Sequence, residues 1–345
     1  MLRALLYGLL ALAATGVARA ADAPAREPHV ALLLPLNSPV FGRHAEAVRQ
    51  GFVAAARVAA KDAPPVRVYP VNEDGPNVLT VYEQAVEAGA RLVIGPLTRA
   101  GVAALAASSL VGVPTLALNA LDGGAPQPAR LYTFSLNVEE EARRIAQLAQ
   151  DEGRRSALVV VEATPLGRRM RDAFAREFAR RGGRVVADHA YSADTAALAR
   201  LRQTTAGLNA DMAFLALDET AAVKVRPYLG NGFALYATSR VNTGGADAAR
   251  TLDRLRFTDM PWLLQPDHAA VMVYPRGRYE DADLERLYAF GIDAFRLGLE
   301  LLRQTRNPVL DGVTGRLRLV EQRFARDALV AQFADGRTLV VGEAR

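Results

Sequence analysis

The chain has 345 residues, is 50% hydrophobic and 23% charged, and contains no cysteine. This length predicts two domains of roughly 150 residues each, and the lack of cysteine excludes disulfides and thiolate metal sites. The formal charge of +5 is carried almost entirely by arginine. Because no basic stripe is interleaved with aromatic residues, we do not expect nucleic acid as a partner.

Residues 1–20 have the pattern of a cleavable secretory signal peptide. Arg3 gives a positive start, residues 4–17 form an uncharged, largely apolar run, and Ala18-Arg19-Ala20 matches an A-x-A cleavage site. No later stretch is apolar for long enough to span a bilayer. The missing cysteine also means that there is no lipobox, so we expect a periplasmic protein without a membrane span or a lipid anchor.

The mature sequence first alternates short apolar segments with amphipathic helices. In chain order these are HVALLLPL, a helix over 44–61, VRVYPV, a helix over 77–89, RLVIGPL, a helix over 99–109 and PTLALN. Continuous apolar strands, each followed by a helix, are typical of a parallel sheet that is covered on both faces. The pattern therefore predicts a first doubly wound α/β lobe.

A second series of the same kind follows the loop LDGGAPQPAR. The segment LYTFSL leads into a helix that begins at EEEARR, with its acids in the first turn, where they complement the helix dipole. The later strands are SALVVVEA, VVADHAY, MAFLAL and ALYATS. We therefore predict two doubly wound, parallel-sheet lobes in one chain.

The C-terminal part departs from this alternation. A long helix over 279–303 is followed by DGVTGRLRL, ALVAQF, an Asp335-Gly336 turn and TLVV, which is too little for a third domain. We predict that the chain returns to both lobes, so that lobe one comprises 27–133 and 268–307 and lobe two comprises 134–267 and 308–345. A three-stranded hinge is then expected near 131–136, 263–270 and 307–315, with hinge positions at Phe134, Gln265, Gly312 and Gly315.

Ligands of open α/β sheets bind beyond the carboxyl ends of the strands. Residues in such positions are expected to line the cleft between the lobes: Asn37, Ser38, Thr98, Asn119 and Ala120 in lobe one, and Thr164, Asp218, Thr238, Ser239 and Arg240 in lobe two. Turn formation and helix capping are alternative roles, because Asn, Ser, Thr and Asp favour those positions.

Sequence motifs of catalysis are missing. The four histidines are widely spaced, and no H-E-x-x-H, G-x-S-x-G, Walker A or G-x-G-x-x-G motif occurs. Paired acids such as Glu73 and Asp74 lie in turns or at helix starts, where solvated carboxylates are ordinary. We therefore expect no catalytic residue, no metal site, no cofactor and no enzymatic activity.

Six stretches of the mature sequence form a recognisable series. They are VALLLPLNSPVFGRHAEAVRQGFVAA, VIGPLTRAGVAAL, PTLALN, RFTDMPWLL, RLYAFGIDAFRL and DGVTGRLRL followed by AQF, and in this order they span about 300 residues. They resemble the activators of class A penicillin-binding proteins, the LpoA family, within the type I periplasmic binding protein fold. The resemblance implies a non-catalytic periplasmic regulator. Its partner would be a class A penicillin-binding protein, a bifunctional synthase whose peptidoglycan synthesis it stimulates by contact.

The sequence also departs from that family. Its members are typically outer-membrane lipoproteins with an N-terminal helical-repeat domain, whereas we expect here neither an acylated cysteine nor such a domain before Val30. Val330 stands where the family is expected to have an aromatic residue. The alternative function is a solute receptor of an ABC transporter, of the branched-chain amino acid or amide type, closing on a small-molecule ligand in the cleft. The loops LTRAG and LNALDGG lack the Ser/Thr cradle that holds an amino-acid carboxylate.

Overall fold

The computed structural model describes residues 26–60, 63–121, 127–277, 279 and 281–341, and the predicted signal peptide lies outside them. The chain begins with alternating strands and helices: β1 (His29–Leu34), α1 (Gly42–Ala59), β2 (Val66–Pro70), α2 (Gly75–Glu87), β3 (Ala90–Ile94), α3 (Arg99–Ala107), β4 (Thr115–Ala117) and β5 (Leu131–Phe134). These strands are parallel, with β1 between β2 and β3. Every residue of β1 is buried, which is why its sequence is continuously apolar.

The second series of elements repeats this organisation. Its members are α4 (Val138–Asp151), β6 (Ser156–Val161), α5 (Pro165–Arg180), β7 (Arg184–Ala190), α6 (Thr195–Ala206), β8 (Met212–Ala216), α7 (Glu219–Val225), β9 (Ala234–Ala237), α8 (Ala246–Thr251) and β10 (Arg256–Asp259). The strands lie in the order β10-β9-β8-β6-β7 and are parallel to one another. Separate apolar clusters cover the two faces of this sheet.

The C-terminal elements are shared between the sheets. They are α9 (Pro261–Leu264), α10 (Ala269–Met272), α11 (Ala282–Leu302), β11 (Val309–Asp311), β12 (Arg316–Val320), β13 (Arg323–Asp327), β14 (Leu329–Ala334) and β15 (Arg337–Val340). The first sheet has the order β11-β12-β13-β5-β4-β3-β1-β2, and β14 and β15 extend the second sheet beside β10. Two sheets dominated by parallel strands confirm the predicted fold class.

The chain passes between the two sheets three times. It leaves the first sheet between β5 and α4, returns between β10 and α9, and crosses again between β13 and β14, at Ala328. Helix α11 packs against α1 on the first sheet, where Phe52 and Phe295 meet edge to face. Phe134 ends β5 directly before the first crossover. The hinge role of Phe134 stays a prediction.

The predicted division of the C-terminal part was wrong for residues 309–327, which belong to the first sheet. Strand β13 pairs in parallel with β5, with Phe324 opposite Phe134, and Leu317 and Phe324 are buried in the core of that sheet. The prediction groups these residues with the hairpin that follows them in the chain. Burial of their apolar side chains in the core of the first sheet stabilises the observed pairing instead. The third crossover therefore lies after residues 307–315, and the second lies ahead of Gln265.

Gly312 and Gly315 form a tight turn between β11 and β12 rather than the third crossover. The N–H of Gly312 donates to the carbonyl oxygen of Gly315 at 3.0 Å, and the reverse bond measures 3.3 Å. Gly315 has a φ of +136°, and a Cβ at that position would lie 2.4 Å from the carbonyl oxygen of Asp327. The turn therefore requires glycine at 315 for both its backbone angle and its space.

Asp293 of α11 fixes this turn to the core. Its carboxylate accepts hydrogen bonds from the N–H of Thr314 at 2.8 Å, the hydroxyl of Thr314 at 2.7 Å and the N–H of Val313 at 3.2 Å. Arg296 pairs with it at 3.0 Å. Complete burial raises the pKa of Asp293, so the hydrogen bonds and the arginine are needed to hold the carboxylate in the core.

We expect Asp293→Ala to lower the free energy of unfolding by about 3–5 kcal/mol, since it leaves two buried backbone N–H groups without an acceptor. Denaturant titration measures the change. Asp247→Ala is the matched control because that side chain is 99% exposed, and it should change stability by less than about 0.5 kcal/mol. Equal effects of the two substitutions would contradict the assigned role of Asp293.

Candidate functional site

The carboxyl ends of the parallel strands of both sheets face a common cleft. A cavity of about 340 Å³ lies there, lined by residues that follow β3, β4 and β5, by the first turns of α4 and α5, and by α11. Its apolar walls include Leu97, Leu136, Leu166, Leu287 and Phe290. The cavity is therefore built by both halves of the chain, as ligand cavities of this architecture are.

At the rim of this cavity, one carboxylate contacts two arginines. Glu139, at the start of α4, lies 3.4 Å from a guanidinium nitrogen of Arg99 in α3 and 3.0 Å from one of Arg169 in α5. The Glu139 side chain is only 14% exposed, whereas both arginines are partly open to solvent. Arg99 belongs to the first half of the chain and Arg169 to the second, so Glu139 links the two halves.

A buried arginine fills the part of the cleft next to β9. Arg286 projects from α11 and donates Nε and Nη2 to the two carboxylate oxygens of Asp259, at 3.1 and 2.8 Å. Nη2 also donates to the backbone carbonyls of Ser239 at 3.0 Å and Asn242 at 2.7 Å. Nη1 donates to Asp283 at 2.8 Å. Burial opposes the charge, but Asp259 raises the pKa of Arg286 overall, and the guanidinium stays charged.

A second buried ion pair also joins the two halves of the chain. Arg326 of β13 donates to Glu141 of α4 at 2.9 Å, and the other oxygen of that carboxylate accepts the N–H of Ser239, also at 2.9 Å. The side chains are 4% and 7% exposed. The backbone of Ser239 therefore joins both ion pairs. Its N–H donates to Glu141, and its carbonyl accepts from Arg286.

Only some of the predicted ligand residues reach a cavity. Asn119 lines the apolar cavity. Asp218 and Arg240 line a second one of about 300 Å³, together with Asp281, Asp283 and Arg286. Ser239 lies in the buried network described above, and Ala120 donates its N–H to the side chain of Asn119. Ligand binding by these residues stays a prediction.

The other predicted residues hold local structure. Thr98 and Thr164 accept N–H bonds as the N-caps of α3 and α5, and Asp218 likewise caps α7. Ser38 accepts the N–H of Phe41 at 2.8 Å, and Thr238 contacts a methionine sulfur. Asn37 lies exposed in the turn after β1. Turn formation and capping, the alternatives given from the sequence, describe these positions except Thr238, whose side chain caps no helix.

Sequence reasoning missed the residues that join the two halves, namely Glu139, Glu141, Asp259, Arg286 and Arg326. Two signals were available. Asp259 directly follows a strand in RFTDMPWLL, and Arg286 interrupts the apolar side of α11 in DLERLYAFG. A charged residue at a position where the periodicity of the element expects an apolar one indicates a buried, paired charge. The sequence did not reveal its partner, because the two residues belong to different elements.

Charged side chains border the second cavity of the cleft. Among the described residues, no group of three or more His, Cys, Asp or Glu side chains is arranged to hold a metal ion. In the second cavity Arg240 lies 3.9 Å from Glu162 and 4.0 Å from Asp218. Burial, and then the neighbouring charge of Asp218, raise the pKa of Glu162. These groups can pair with a polar or charged partner.

The chain belongs to the LppC family of putative lipoproteins, whose family model matches residues 25–209 and 196–336. It is 28% identical to a penicillin-binding protein activator LpoA of Pantoea ananatis, with 75% of this chain and 45% of that protein aligned. An LpoA of Yersinia pseudotuberculosis is also 28% identical, over 84% of this chain and 57% of the other. The chain thus spans about half the length of these relatives, and the resemblance seen in its sequence is confirmed.

Solved structures share the fold of this chain. The C-domain of LpoA from Haemophilus influenzae, a regulator of PBP1A, superposes with a TM-score of 0.76 at 25% identity, covering 91% of this chain and 100% of that domain. A putative branched-chain amino acid ABC transporter from Chromobacterium violaceum is 38% identical with a TM-score of 0.75, covering 89% and 100% of the two chains. In the part of the chain that the structure describes, no helix is long and apolar enough to cross a membrane.

We expect Arg286→Met to lower the free energy of unfolding by about 3–5 kcal/mol, because Asp259 then stays buried without its cation. The double variant Arg286→Met/Asp259→Leu should recover much of that loss, since both buried charges are removed together. Urea titration of the two single variants and the double variant measures the coupling. Additive effects of the two substitutions would show that the pair does not join the halves energetically.

Glu162→Gln tests the electrostatics of the second cavity. Because the pKa of Glu162 is raised in the folded chain, its carboxyl ionises less readily there than in the unfolded chain. The stability of the protein therefore falls as the pH rises from the ordinary value of 4.5 through the higher folded value. Relative to the unsubstituted protein, the variant should therefore gain stability across this pH window, as measured by urea titration. The control Glu83→Gln removes the same charge from an exposed helix position, and an equal gain in that control would contradict the role assigned to the second cavity.

Proposed function

We propose that the chain is a non-catalytic periplasmic regulator that stimulates a class A penicillin-binding protein through protein contact. Membership in the LppC family and the likeness to LpoA activators support the proposal. The observation that carries it is the position of Arg286, which occupies the carbonyls of Ser239 and Asn242 at the cleft. A small ligand would therefore have to compete with a side chain of the protein itself.

The buried pairs also favour a fixed arrangement of the two halves. A solute receptor opens and closes by bending its hinge, and opening here would separate Arg286 from Asp259 and Arg326 from Glu141. Opening would let water solvate these charges, but it would break the hydrogen bonds of Arg286 to Asp259, Ser239 and Asn242 in the same step. We therefore infer that the two lobes form one rigid docking platform for the synthase.

We further propose that residues 1–20 direct export and that the mature protein resides in the periplasm. The family is described as putative lipoproteins, yet this sequence contains no cysteine that could be acylated. We therefore do not propose attachment through a lipidated cysteine of this chain. The synthase would be reached by diffusion and by complementary surfaces.

The direct test combines purified residues 21–345 with the class A synthase of the same organism. We expect stoichiometric protein to raise the rates of glycan polymerisation and cross-linking, and a pull-down to recover both proteins together. A class B penicillin-binding protein serves as the specificity control. Unchanged rates together with no recovered complex would overturn the proposed function.

The solute receptor is the second candidate, because specific observations favour it. The apolar cavity of about 340 Å³ is large enough for a small side chain, and the Chromobacterium protein described as a putative branched-chain amino acid ABC transporter is 38% identical. Asn119 would contact a ligand in this cavity, and Asp218 and Arg240 would contact one that reaches the second cavity. A ligand at a hundredfold excess over its Kd would stabilise a receptor by about 2.7 kcal/mol.

Thermal-shift measurements with leucine, isoleucine, valine and their amides separate the two functions. A regulator with a locked cleft should show no shift with any of these compounds. A shift that is abolished by Asp218→Ala, in a protein that does not bind the synthase, would instead establish the receptor.

A further inference from the structure

A basic cavity lies at the edge of the second sheet that faces away from the cleft. It has a volume of about 490 Å³, and its lining includes four arginines, Arg154, Arg226, Arg254 and Arg256, together with Tyr236 and Gln332. Arg154 precedes β6, and Arg256 begins β10, so the cavity sits at the amino ends of these parallel strands. The cleft, in contrast, lies beyond their carboxyl ends. Nothing in the proposed function involves this cavity.

One arginine of the cavity is held in place by neighbouring groups. Arg256 forms an ion pair with Glu152 and donates Nε to the side-chain oxygen of Gln332 at 3.2 Å. The hydroxyl of Tyr236 donates to the same glutamate at 2.5 Å. Burial, and then Glu152, raise the pKa of Tyr236 to about 12, so that this wall keeps a neutral hydroxyl and an anchored guanidinium.

The other three arginines form no ion pair. No carboxylate of the described ranges lies within 4.0 Å of the guanidinium nitrogens of Arg154, Arg226 or Arg254. Asp253, the acid among the lining residues in the described part of the chain, offsets only part of the charge of the four arginines, and it accepts the N–H of Asp335 at 3.2 Å. The cavity therefore concentrates positive charge around a space that water or a solute can enter.

Two of these guanidinium groups also carry an unused donor. The Nε atoms of Arg154 and Arg226 are buried and find no hydrogen-bond partner among the described residues. Buried N–H groups of charged side chains are costly to leave unpaired. Together with the excess of positive charge, they indicate that an acceptor rich in oxygen completes the cavity.

We propose that this cavity is a binding site for an oxyanion with several negative charges, of the phosphate-ester class. Planar guanidinium forks match phosphate oxygens with two parallel hydrogen bonds, and several of them can surround one group. The volume exceeds that of a single phosphate, so a ligand with two linked anionic groups fits better. The same chemistry is offered by a free solute and by the headgroup of a phospholipid.

Inorganic pyrophosphate is the probe for the test, using mature protein and isothermal titration calorimetry at low ionic strength. We expect saturable binding that weakens at least about tenfold in Arg226→Gln/Arg254→Gln, since two charge-assisted contacts are lost. The matched control Arg176→Gln/Arg200→Gln removes the same charge from exposed helix positions and should leave the affinity unchanged. If the double variant is unstable, Arg254→Gln alone serves, because Arg254 is exposed.

Vesicles containing phosphatidylglycerol distinguish the two sources of phosphate. Vesicle binding that pyrophosphate displaces and that the double variant loses would identify a headgroup as the ligand. Pyrophosphate binding without vesicle binding would identify a free solute. The proposal is overturned if pyrophosphate does not bind at millimolar concentration, or if the double variant and the control bind it equally.

Discussion

The pairing of Arg286 with Asp259 determines how the two halves of this chain can act. The arginine comes from the long helix on the first sheet, and the aspartate ends a strand of the second sheet. Both charges are buried, so neither can be solvated unless the halves separate. Because the same guanidinium also donates to the carbonyls of Ser239 and Asn242, one residue both joins the halves and occupies the part of the cleft next to β9.

The arginine can take this position only because helix α11 is fixed. Gly291 lets the helix approach α1 so closely that a Cβ there would lie 2.1 Å from the carbonyl oxygen of Val48. Asp293 binds the turn that contains Val313 and Thr314. A rigid helix supplies a side chain with a defined direction, and buried ion pairs are favourable only with such geometry.

The sequence was sufficient for the parts of the fold that depend on local pattern. Continuous apolar strands and amphipathic helices predicted both sheets, and the number of crossovers followed from the C-terminal return. The placement of residues 309–327 could not be predicted, because β13 reaches β5 through pairing between distant segments. Of the predicted cleft residues, Asn119, Asp218 and Arg240 line cavities, whereas capping accounts for Thr98 and Thr164, a choice that side-chain chemistry alone leaves open.

Three of the stretches that carry the family resemblance supply the residues that join the two halves and hold the glycine turn. RFTDMPWLL supplies Asp259 and Trp262, RLYAFGIDAFRL begins at Arg286 and contains Asp293, and DGVTGRLRL forms the turn that Asp293 holds. The backbone N–H of Trp262 donates to the carbonyl of Val313 at 2.9 Å, which ties the second crossover to that turn. The family signature and the ion pairs between the halves thus have the same physical basis. In the proposed function these pairs fix the two lobes relative to one another, which leaves the outer surfaces to bind the synthase.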